Sequence, residues 1–554
     1  MTSTVARTLN LDDDFARQAS AAATAADWSL PNRSRQFHWR SSLTLSLLIA
    51  IAWVIARLAL LHALGFPDPK VHDEFNYILG ADTFAHGRLT NPPHALAAFF
   101  ASPHTLFQPT YSSKYPPGQS LFLAAGQAIF GHPFYGVVIE GALMMFLFCL
   151  LLCLWTSLWP AAITSLALAV FFQPPMYWVD SYWGGCAAAC GCALLLVAIG
   201  WYRISGNPFS GSIFAAGGIL LFITRPYEGA FAFLAALTLA LFTEAIPRKL
   251  RRGRKLMMAG VYGIPVAAIG LAGVTAQNFA VTGHLLKLPL QLYNDGHMVA
   301  QLLIFQSFRH PDPAYLNDRL AAEHGSNGWE VAALREGVGA TQHGYAGRLV
   351  TVTRYVFAFL PELPLLLFGL AWFDRRLWFC LGLIAAGVIG SSFVGYQAQH
   401  YIAPSVPALV LIWGIMVQRA LPMRQGRIPI GAVGVPVILF AAVSPSIGAC
   451  VRAHHDLPLT QAAWPHERTD LIRRLSATGK PNLVIVHYPS SAWNVGTEWV
   501  YNSADIDRQP VIFAHDLGTA RNAELFSYYR DRTVWLLTFD PDNPDKYFLN
   551  PYPR

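Results

Sequence analysis

Eleven long apolar stretches constrain the fold of this 554-residue chain more than any other feature of its sequence. A helix needs about 20 mostly apolar residues to cross a bilayer. Only 13% of the residues are charged, against about 25% in soluble proteins. We therefore predict an α-helical polytopic membrane protein with about eleven transmembrane helices. The predicted spans are 42–64, 134–156, 160–177, 184–202, 210–224, 228–246, 257–280, 350–373, 376–395, 401–419 and 429–449.

Lysine and arginine residues collect at alternate ends of these stretches. Cytoplasmic loops of membrane proteins carry an excess of basic residues, and segment 247–255 (PRKLRRGRK) is basic without a single acid. We therefore predict a multi-pass protein of the plasma (bacterial inner) membrane, with a cytoplasmic N-terminus and an extracytoplasmic C-terminus. The same clustering argues against nucleic-acid binding, because the basic residues form short cytoplasmic groups and no groove.

The chain divides into three predicted regions. A cytoplasmic segment covers residues 1–41, and a transmembrane domain covers 42–450 with two large outer loops at 65–133 and 281–349. Residues 451–554 are more polar and contain three strand-like runs separated by polar segments, which is typical of a small α/β domain. The strand-like runs are 483–488, 510–517 and 533–539.

The seven cysteines all lie in or beside apolar stretches. They therefore read as small buried apolar side chains, neither a disulfide framework nor a zinc site. We expect no metal and no cofactor, although the adjacent acids Asp73 and Glu74 leave a divalent metal as an alternative.

The first outer loop holds two features that suit chemistry. Asp73 and Glu74 follow the first span directly, where a carboxylate can act as a general base or simply favour a helix N-terminus. Lys114 is the last cation of the loop. It can contact a lipid phosphate as a point charge, or extend its charge to the headgroup level.

The order of these residues, an acidic pair followed by a Lys-x-Pro-Pro turn, resembles the outer loop of the GT-C glycosyltransferases. The families most similar in this loop are the protein O-mannosyltransferases and the lipid A aminoarabinose transferases. The resemblance implies that Asp73 and Glu74 are catalytic, with Asp73 as the base, and that Lys114 binds a carrier phosphate. Tyr115 separates Lys114 from the prolines, which departs from the Lys-Pro-Pro form. Beyond about residue 230 the resemblance is architectural only.

Two short outer turns and one span boundary carry further candidates. Segment 174–185 is rich in aromatic residues, which form either an interfacial belt or a surface on which a sugar stacks. Arg225 in segment 224–229 matches a phosphate bidentately, or bridges to Glu228. The predicted sugar- or acceptor-binding residues are Trp178, Asp180, Tyr182, Trp183, Tyr227, Glu228 and His400.

The predicted topology restricts the energy source of any reaction. Every polar cluster faces outside, where nucleotide sugars and ATP are not supplied, and no P-loop motif is present. We therefore predict an inverting glycosyltransferase that moves a sugar from a polyprenyl-phosphate carrier to a hydroxyl of a protein, lipid or glycan acceptor. Its partners are the carrier-linked sugar, that acceptor and membrane lipids. The alternatives are a flippase for a lipid-linked glycan and a non-catalytic glycan-binding protein.

Overall fold

The computed structural model describes residues 37–245, 251–337, 344–359, 374–455 and 463–553. In chain order its helices are α1 (Trp39–Leu64), α2 (His72–Ala85), α3 (Ala97–Phe100), α4 (Pro117–Phe130), α5 (Phe134–Trp155), α6 (Leu158–Phe171), α7 (Cys186–Ser205), α8 (Ser210–Thr224), α9 (Pro226–Ala245), α10 (Arg251–Thr282), α11 (Pro289–His297), α12 (Asp318–His324), α13 (Trp329–Glu336), α14 (Gly344–Ala358), α15 (Arg375–Ser391), α16 (Val406–Ala420), α17 (Ile430–His455), α18 (Ala463–Ser476) and α19 (Thr519–Tyr528). The strands are β1 (Thr105–Leu106), β2 (Ser112–Ser113), β3 (Asn482–His487), β4 (Val511–His515), β5 (Thr533–Asp540) and β6 (Asn543–Pro551).

Each of the eleven apolar stretches overlaps a helix, and the mostly helical fold class is confirmed. Helices are expected there because a backbone inside a bilayer must satisfy its own N–H and C=O groups. Among the described residues, six helices are both long and apolar enough to cross a membrane, which makes the chain a multi-pass membrane protein. The count of eleven spans stays a prediction. Residues 360–373 of the eighth predicted span lie outside the described residues.

The helices form a bundle with a distinct centre and rim. In the most apolar window of α5, 78% of the residues are buried, and 94% in the window that contains α16, against 17% in that of α10. Close contact between helices is possible where small residues meet, because a side chain there would hold the backbones apart. A Cβ atom on Gly126 of α4 would lie 2.0 Å from the backbone nitrogen of Gly136 in α5.

Contacts between helix ends show that α1 and α7 run in opposite directions. At one end, the rings of Trp39 in α1 and Trp201 in α7 lie 5.6 Å apart. At the other end, Arg57 near the close of α1 pairs with Asp180, between α6 and α7, at 2.8 Å. The basic residues at alternate ends of the predicted spans require spans one and four, which are α1 and α7, to run in opposite directions. Which end faces the cytoplasm stays a prediction.

The first outer loop folds into α2, α3, a short hairpin and α4. Strands β1 and β2 pair antiparallel, with Thr105 opposite Ser113. This hairpin brings the residues beyond its two ends together, so that the backbone N–H of Lys114 donates to the carbonyl of His104 at 3.2 Å. Two residues 10 positions apart in the sequence thereby become neighbours.

A four-stranded sheet forms the centre of the C-terminal region, in the order β4-β3-β5-β6. Strands β3, β4 and β5 are parallel and lie at the three predicted runs, whereas β6 pairs antiparallel with β5. Strand β6 was not predicted, because its sequence NPDKYFLNP contains two prolines and little alternation. The small C-terminal sheet domain is present as predicted, while the boundaries at 41 and 450 stay predictions.

The sheet packs directly on the first outer loop. One of its faces shares an apolar cluster with Leu96, Phe99 and Phe100 of the loop. The opposite face packs on α18 through Trp464 and Leu471. The C-terminal domain is therefore held against the loop that carries the candidate catalytic residues.

Candidate active site

A cavity of about 900 Å³ lies where the two outer loops, the α8–α9 junction and the C-terminal domain meet. This volume is in the range of small-molecule sites. The structure brings Asp73, Lys114 and Arg225 to its wall, although they come from three different elements. Of the other predicted site residues, Trp183, Tyr227 and Glu228 also line it.

Asp73 presents one free carboxylate oxygen to this cavity. Its Oδ1 accepts a hydrogen bond of 2.5 Å from the hydroxyl of Tyr115, and its Oδ2 lies 3.7 Å from Nδ1 of His104. Burial raises the pKa of Asp73, and the Tyr115 hydroxyl opposes that rise. A carboxylate with a raised pKa is a better proton acceptor than an exposed aspartate.

Tyr115, the residue that interrupts the expected Lys-Pro-Pro form, therefore has a place in the site. Pro116 precedes α4 and Pro117 occupies its first turn, where the fixed φ of proline suits a helix start. The prolines hold the backbone of Tyr115 so that its hydroxyl reaches both Asp73 and Nδ1 of His104, at 2.5 and 2.8 Å. In the sequence, Tyr115 was noted only because it departs from the Lys-Pro-Pro motif, and its contact with Asp73 was not predicted.

His104 adopts a left-handed backbone conformation, with φ of 68°. Such a conformation costs about 1–3 kcal/mol for a residue with a side chain. It is held by the backbone of Lys114 on one side and by the hydroxyl of Tyr293, which accepts from the His104 N–H at 2.7 Å, on the other. Burial lowers the pKa of His104 well below its usual value, so the ring is neutral at pH 7. Neither His104 nor Tyr293 was predicted from the sequence to be a residue of the site.

Lys114 is a buried cation with aromatic neighbours. Its side chain is 5% exposed, and Nζ lies 4.7 Å from the ring centre of Tyr293 and 5.4 Å from that of Tyr115. No carboxylate oxygen of the described residues lies within 4.0 Å of it. Burial lowers its pKa to about 8. A buried ammonium that contacts ring faces and, among the described residues, has no carboxylate oxygen within 4.0 Å can bind an anion.

Arg225 contributes a second positive charge from the junction of α8 and α9. Its guanidinium lies 5.0 Å from the ring centre of Tyr401. The alternative of an Arg225–Glu228 bridge does not hold, because within the described part of the chain no ion pair of 4.0 Å or less joins them. Lys114 and Arg225 therefore line the same cavity as Asp73, and no carboxylate of the described residues pairs with either cation within 4.0 Å.

Glu74 lies away from the cavity and caps α2. Its Oε2 accepts from the N–H groups of Lys70 and Val71, at 2.6 and 3.3 Å, and its Oε1 accepts from the N–H of Tyr182 at 3.0 Å. The side chain is 3% exposed, and it is not among the cavity-lining residues. Glu74 therefore caps the start of α2, whereas Asp73 lines the cavity. The catalytic role of both acids stays a prediction.

Three predicted sugar-binding residues of segment 174–185 do not reach the cavity. Trp178 is fully buried against neighbouring helices. Asp180 pairs with Arg57 at 2.8 Å, because an arginine at this depth needs a partner. The hydroxyl of Tyr182 donates to the carbonyl of Pro67 at 3.0 Å. These side chains fix the turn, and only Trp183 faces the cavity.

His400 lies behind the cavity wall. Its Nδ1 shares a hydrogen bond of 2.8 Å with the hydroxyl of Tyr177, and its ring lies 4.7 Å from that of Trp183. It supports the indole of Trp183 and is itself 1% exposed. On the front of the wall, Tyr227 donates to the carbonyl of Gly390 at 3.4 Å. Glu228 lines the same wall and is 8% exposed.

The second outer loop adds acidic residues that the sequence analysis did not single out. Glu323 and Glu330 line the cavity and are each almost fully buried. Nδ1 of His324 lies 2.7 Å from Oε2 of Glu330, and its Nε2 lies 2.7 Å from the hydroxyl of Tyr293. This chain of hydrogen bonds connects the acidic wall to the ring on which Lys114 rests.

The C-terminal domain completes the cavity with the loop around residues 492–496. Arg319 of α12 holds this loop in place. It is 4% exposed and donates to Oε2 of Glu498 at 3.2 Å and to the carbonyls of Ser491, Asn494 and Thr497. A buried ion pair with its remaining donors satisfied is costly to break from one side.

Within the described residues, no group of three or more histidine, cysteine, aspartate or glutamate side chains is placed to hold a metal ion. The expectation of no metal is not tested by this observation. The groups near Asp73 that can contact a substrate are the cations Lys114 and Arg225 and the aromatic rings beside them.

No protein-family model and no curated protein sequence matches this chain. Among solved structures, it is similar to ArnT from Cupriavidus metallidurans in the apo state, with a TM-score of 0.50 and 14% identity over 89% of this chain and 93% of that chain. ArnT of the same organism bound to undecaprenyl phosphate gives a TM-score of 0.51 and 13% identity over 90% and 97%. The apo oligosaccharyltransferase of Archaeoglobus fulgidus gives 0.44 and 11% over 91% and 70%.

ArnT is a lipid A aminoarabinose transferase and belongs to the GT-C glycosyltransferases, one of whose families the first outer loop resembles. The likeness extends over nearly the whole of both chains. At 13–14% identity the similarity to ArnT shows the fold alone. The resemblance to the GT-C glycosyltransferases, predicted from the first outer loop, is confirmed as a resemblance of fold. The chain has the GT-C fold seen in the ArnT structures.

Proposed function

We propose that this protein is an inverting glycosyltransferase that moves a sugar from a polyprenyl-phosphate donor to a hydroxyl acceptor at the outer face of the membrane. The observation that carries the proposal is the cavity in which Asp73 faces two cations without carboxylate partners, Lys114 and Arg225. A carboxylate and a phosphate-binding pair in one pocket are the parts that this reaction needs.

The chemistry follows from these groups. As the acceptor oxygen attacks the anomeric carbon, its proton passes to Oδ2 of Asp73, while Tyr115 keeps Oδ1 occupied. The bond between the anomeric carbon and the phosphate oxygen breaks, and the electron pair leaves with the polyprenyl phosphate. Lys114 and Arg225 stabilise the charge that develops on that phosphate. A single displacement of this kind inverts the anomeric carbon.

An apolar groove beside the cavity supports a lipid-linked donor. It has a volume of about 670 Å³, lies between α7, α8, α9 and α10, and meets the main cavity at Pro226. Its wall is almost entirely hydrocarbon. A polyprenyl chain in this groove would place its phosphate beside Arg225, at the start of the polar cavity. The ArnT structure with bound undecaprenyl phosphate supports the same class of carrier.

Transfer activity of the purified full chain tests the proposal. The assay uses undecaprenyl phosphate carrying radiolabelled mannose, glucose, galactose or arabinose, with an envelope fraction of lipids and proteins as acceptor. Asp73→Asn is expected to lower the transfer rate by at least about 100-fold, because loss of a general base costs about 10²–10⁴ in rate. The melting temperature should stay unchanged.

Asp505→Asn is the matched control. Asp505 lies on the surface of the C-terminal domain, paired with Arg508 at 3.4 Å, and this substitution should keep full activity. If Asp73→Asn retains more than about one-tenth of the activity, Asp73 is not the base. A protein that moves the lipid-linked sugar between leaflets and forms no glycosylated product would be a flippase, and the proposal would then be rejected.

A further inference from the structure

The turn between α12 and α13 forms an acidic edge of the cavity. The proposed reaction assigns no role to the residues of this edge. Five residues at and beside this turn line the cavity: Glu323, Asn327, Gly328, Trp329 and Glu330. The turn is tight, because a Cβ atom on Gly328 would lie 2.8 Å from the carbonyl oxygen of Glu323. The turn therefore sets Glu323 and Trp329 on one short piece of backbone.

Glu323 is a buried carboxylate with an unsatisfied oxygen. Its side chain is 3% exposed, and its Oε2 has no hydrogen-bond partner among the described residues. Buried polar atoms are nearly always hydrogen-bonded, and each exception asks for an explanation. Glu330 differs, since its Oε2 lies 2.7 Å from Nδ1 of His324. Because Glu323 lines the cavity, a small change of its side-chain rotamer would bring this buried oxygen to a hydrogen-bond donor of a bound ligand.

Trp329 supplies the second part of the site. It lines the cavity and its side chain is 53% exposed, so part of the indole surface is open to a ligand. An indole face combined with a carboxylate suits a sugar, which presents C–H groups on one face and hydroxyl donors at its edge. No cation of the described residues covers this ring.

Lys114 lies close enough to Glu323 for its positive charge to affect the pKa of that carboxyl group. Burial and the neighbouring Glu330 raise the pKa of Glu323, and the positive charge of Lys114 opposes the rise. A carboxyl group with a raised pKa both donates and accepts hydrogen bonds, as a hydroxyl does, whereas an ammonium ligand would require it fully ionised. A sugar joined to a phosphate at Lys114 would have its hydroxyls on the Glu323 side.

We propose that Glu323 and Trp329 bind the sugar of the donor, with the ring stacked on Trp329 and a hydroxyl hydrogen-bonded to Glu323. This inference rests on the proposed function and adds to it the residues that read the donor sugar. It assigns sugar recognition to the second outer loop, whereas the aromatic turn at 174–185 contributes only Trp183 to the cavity.

Binding of two ligands to the full chain tests the inference. One ligand is bare undecaprenyl phosphate, and the other is undecaprenyl phosphate carrying the sugar that wild-type protein transfers. Glu323→Ala is expected to weaken binding of the glycosylated carrier by about two- to tenfold, the usual effect of losing a hydrogen bond between neutral groups. Binding of the bare carrier should stay unchanged. Trp329→Ala should weaken the glycosylated carrier about fivefold.

Stability separates a binding role from a structural one. Glu323→Gln removes a charge from a buried position beside Glu330, so its melting temperature should equal or exceed that of wild type. Glu336→Gln is the control, because Glu336 lies exposed at the end of α13, the helix that follows the turn. That variant should match wild type for both ligands.

Three results would overturn the inference. They are equal loss of both ligands in Glu323→Ala, no loss of either, and an effect on the KM of the acceptor alone. Asp73→Asn distinguishes this failure from that of the proposed function, because it should bind the glycosylated carrier normally without transferring its sugar. If wild type transfers sugar and the Glu323 variants do not differ from it, only the inference about Glu323 fails.

Discussion

At the scale of single residues, burial shifts the pKa values of the ionisable side chains in the candidate site. Asp73 and Lys114 are both withdrawn from water, so the pKa of the acid rises and that of the base falls. Their charged forms therefore coexist over a narrower pH range than those of exposed side chains. His104, whose pKa is lowered, adds no charge between them at neutral pH.

The pH dependence of kcat/KM for the donor should reveal both groups. The proposed reaction requires ionised Asp73 and protonated Lys114, so activity should fall below the raised pKa of Asp73 and again above about pH 8, the pKa of Lys114. In Lys114→Arg the alkaline decline should shift upward or vanish, because a guanidinium stays charged. The measurement is kcat/KM from pH 4 to 10. An alkaline limb that is the same in this variant would exclude Lys114 as its source.

At the scale of elements, α2 illustrates how two adjacent acids acquire different roles. Successive helix positions point about 100° apart, so Asp73 and Glu74 cannot face the same neighbours. Asp73 faces the cavity, while Glu74 turns back on the start of its own helix and reaches the aromatic turn through Tyr182. The helix is thereby fixed at the end that carries the candidate base.

Replacement of Glu74 by alanine should mainly affect stability. Three backbone N–H groups lose their acceptor, which costs about 1–3 kcal/mol. We expect a lower melting temperature, with transfer activity reduced only through the smaller folded fraction. Glu524→Ala, on the exposed face of α19, should change the free energy of unfolding by less than about 0.5 kcal/mol. A Glu74→Ala protein of normal stability without activity would assign this residue to the chemistry.

At the scale of the whole molecule, the bundle, the two outer loops and the C-terminal sheet meet around one cavity. The C-terminal domain is part of the site, because Arg319 of the second loop binds the loop around residues 492–496 that lines the cavity. The first loop meets the same domain through the apolar cluster of Phe99 and Phe100. Substrate selection is therefore expected to depend on elements from all three parts of the chain.

The orientation of the bundle is open to a direct test. Ser205, at the basic end of α7, should be cytoplasmic, and Ser527 on α19 should be extracytoplasmic. A membrane-impermeant maleimide should label Ser527→Cys in intact spheroplasts and Ser205→Cys only after permeabilisation. The unsubstituted chain is the control, because six of its seven cysteines are buried and the seventh, Cys450, is half-buried. Reversed labelling would place the cavity in the cytoplasm and contradict the proposed reaction.

The amino-acid sequence alone determined the features that depend on local composition. Apolar stretches predicted where the bundle helices lie, and three strand-like runs separated by polar segments predicted β3, β4 and β5. The first outer loop, with Asp73 and Lys114, predicted the GT-C fold. Such features are readable because hydropathy and short motifs are properties of neighbouring residues.

Only the tertiary structure decided which candidates share a cavity. Trp178 and Tyr182 looked like sugar-binding residues in sequence, yet packing turns them inward. Glu323 gave no local signal, since it lies in a loop 250 positions after Asp73 and reaches the cavity only through the fold. The physical reason is that a cavity is formed by contacts between distant elements, and burial, hydrogen-bond partners and shifted pKa values exist only once those contacts are made.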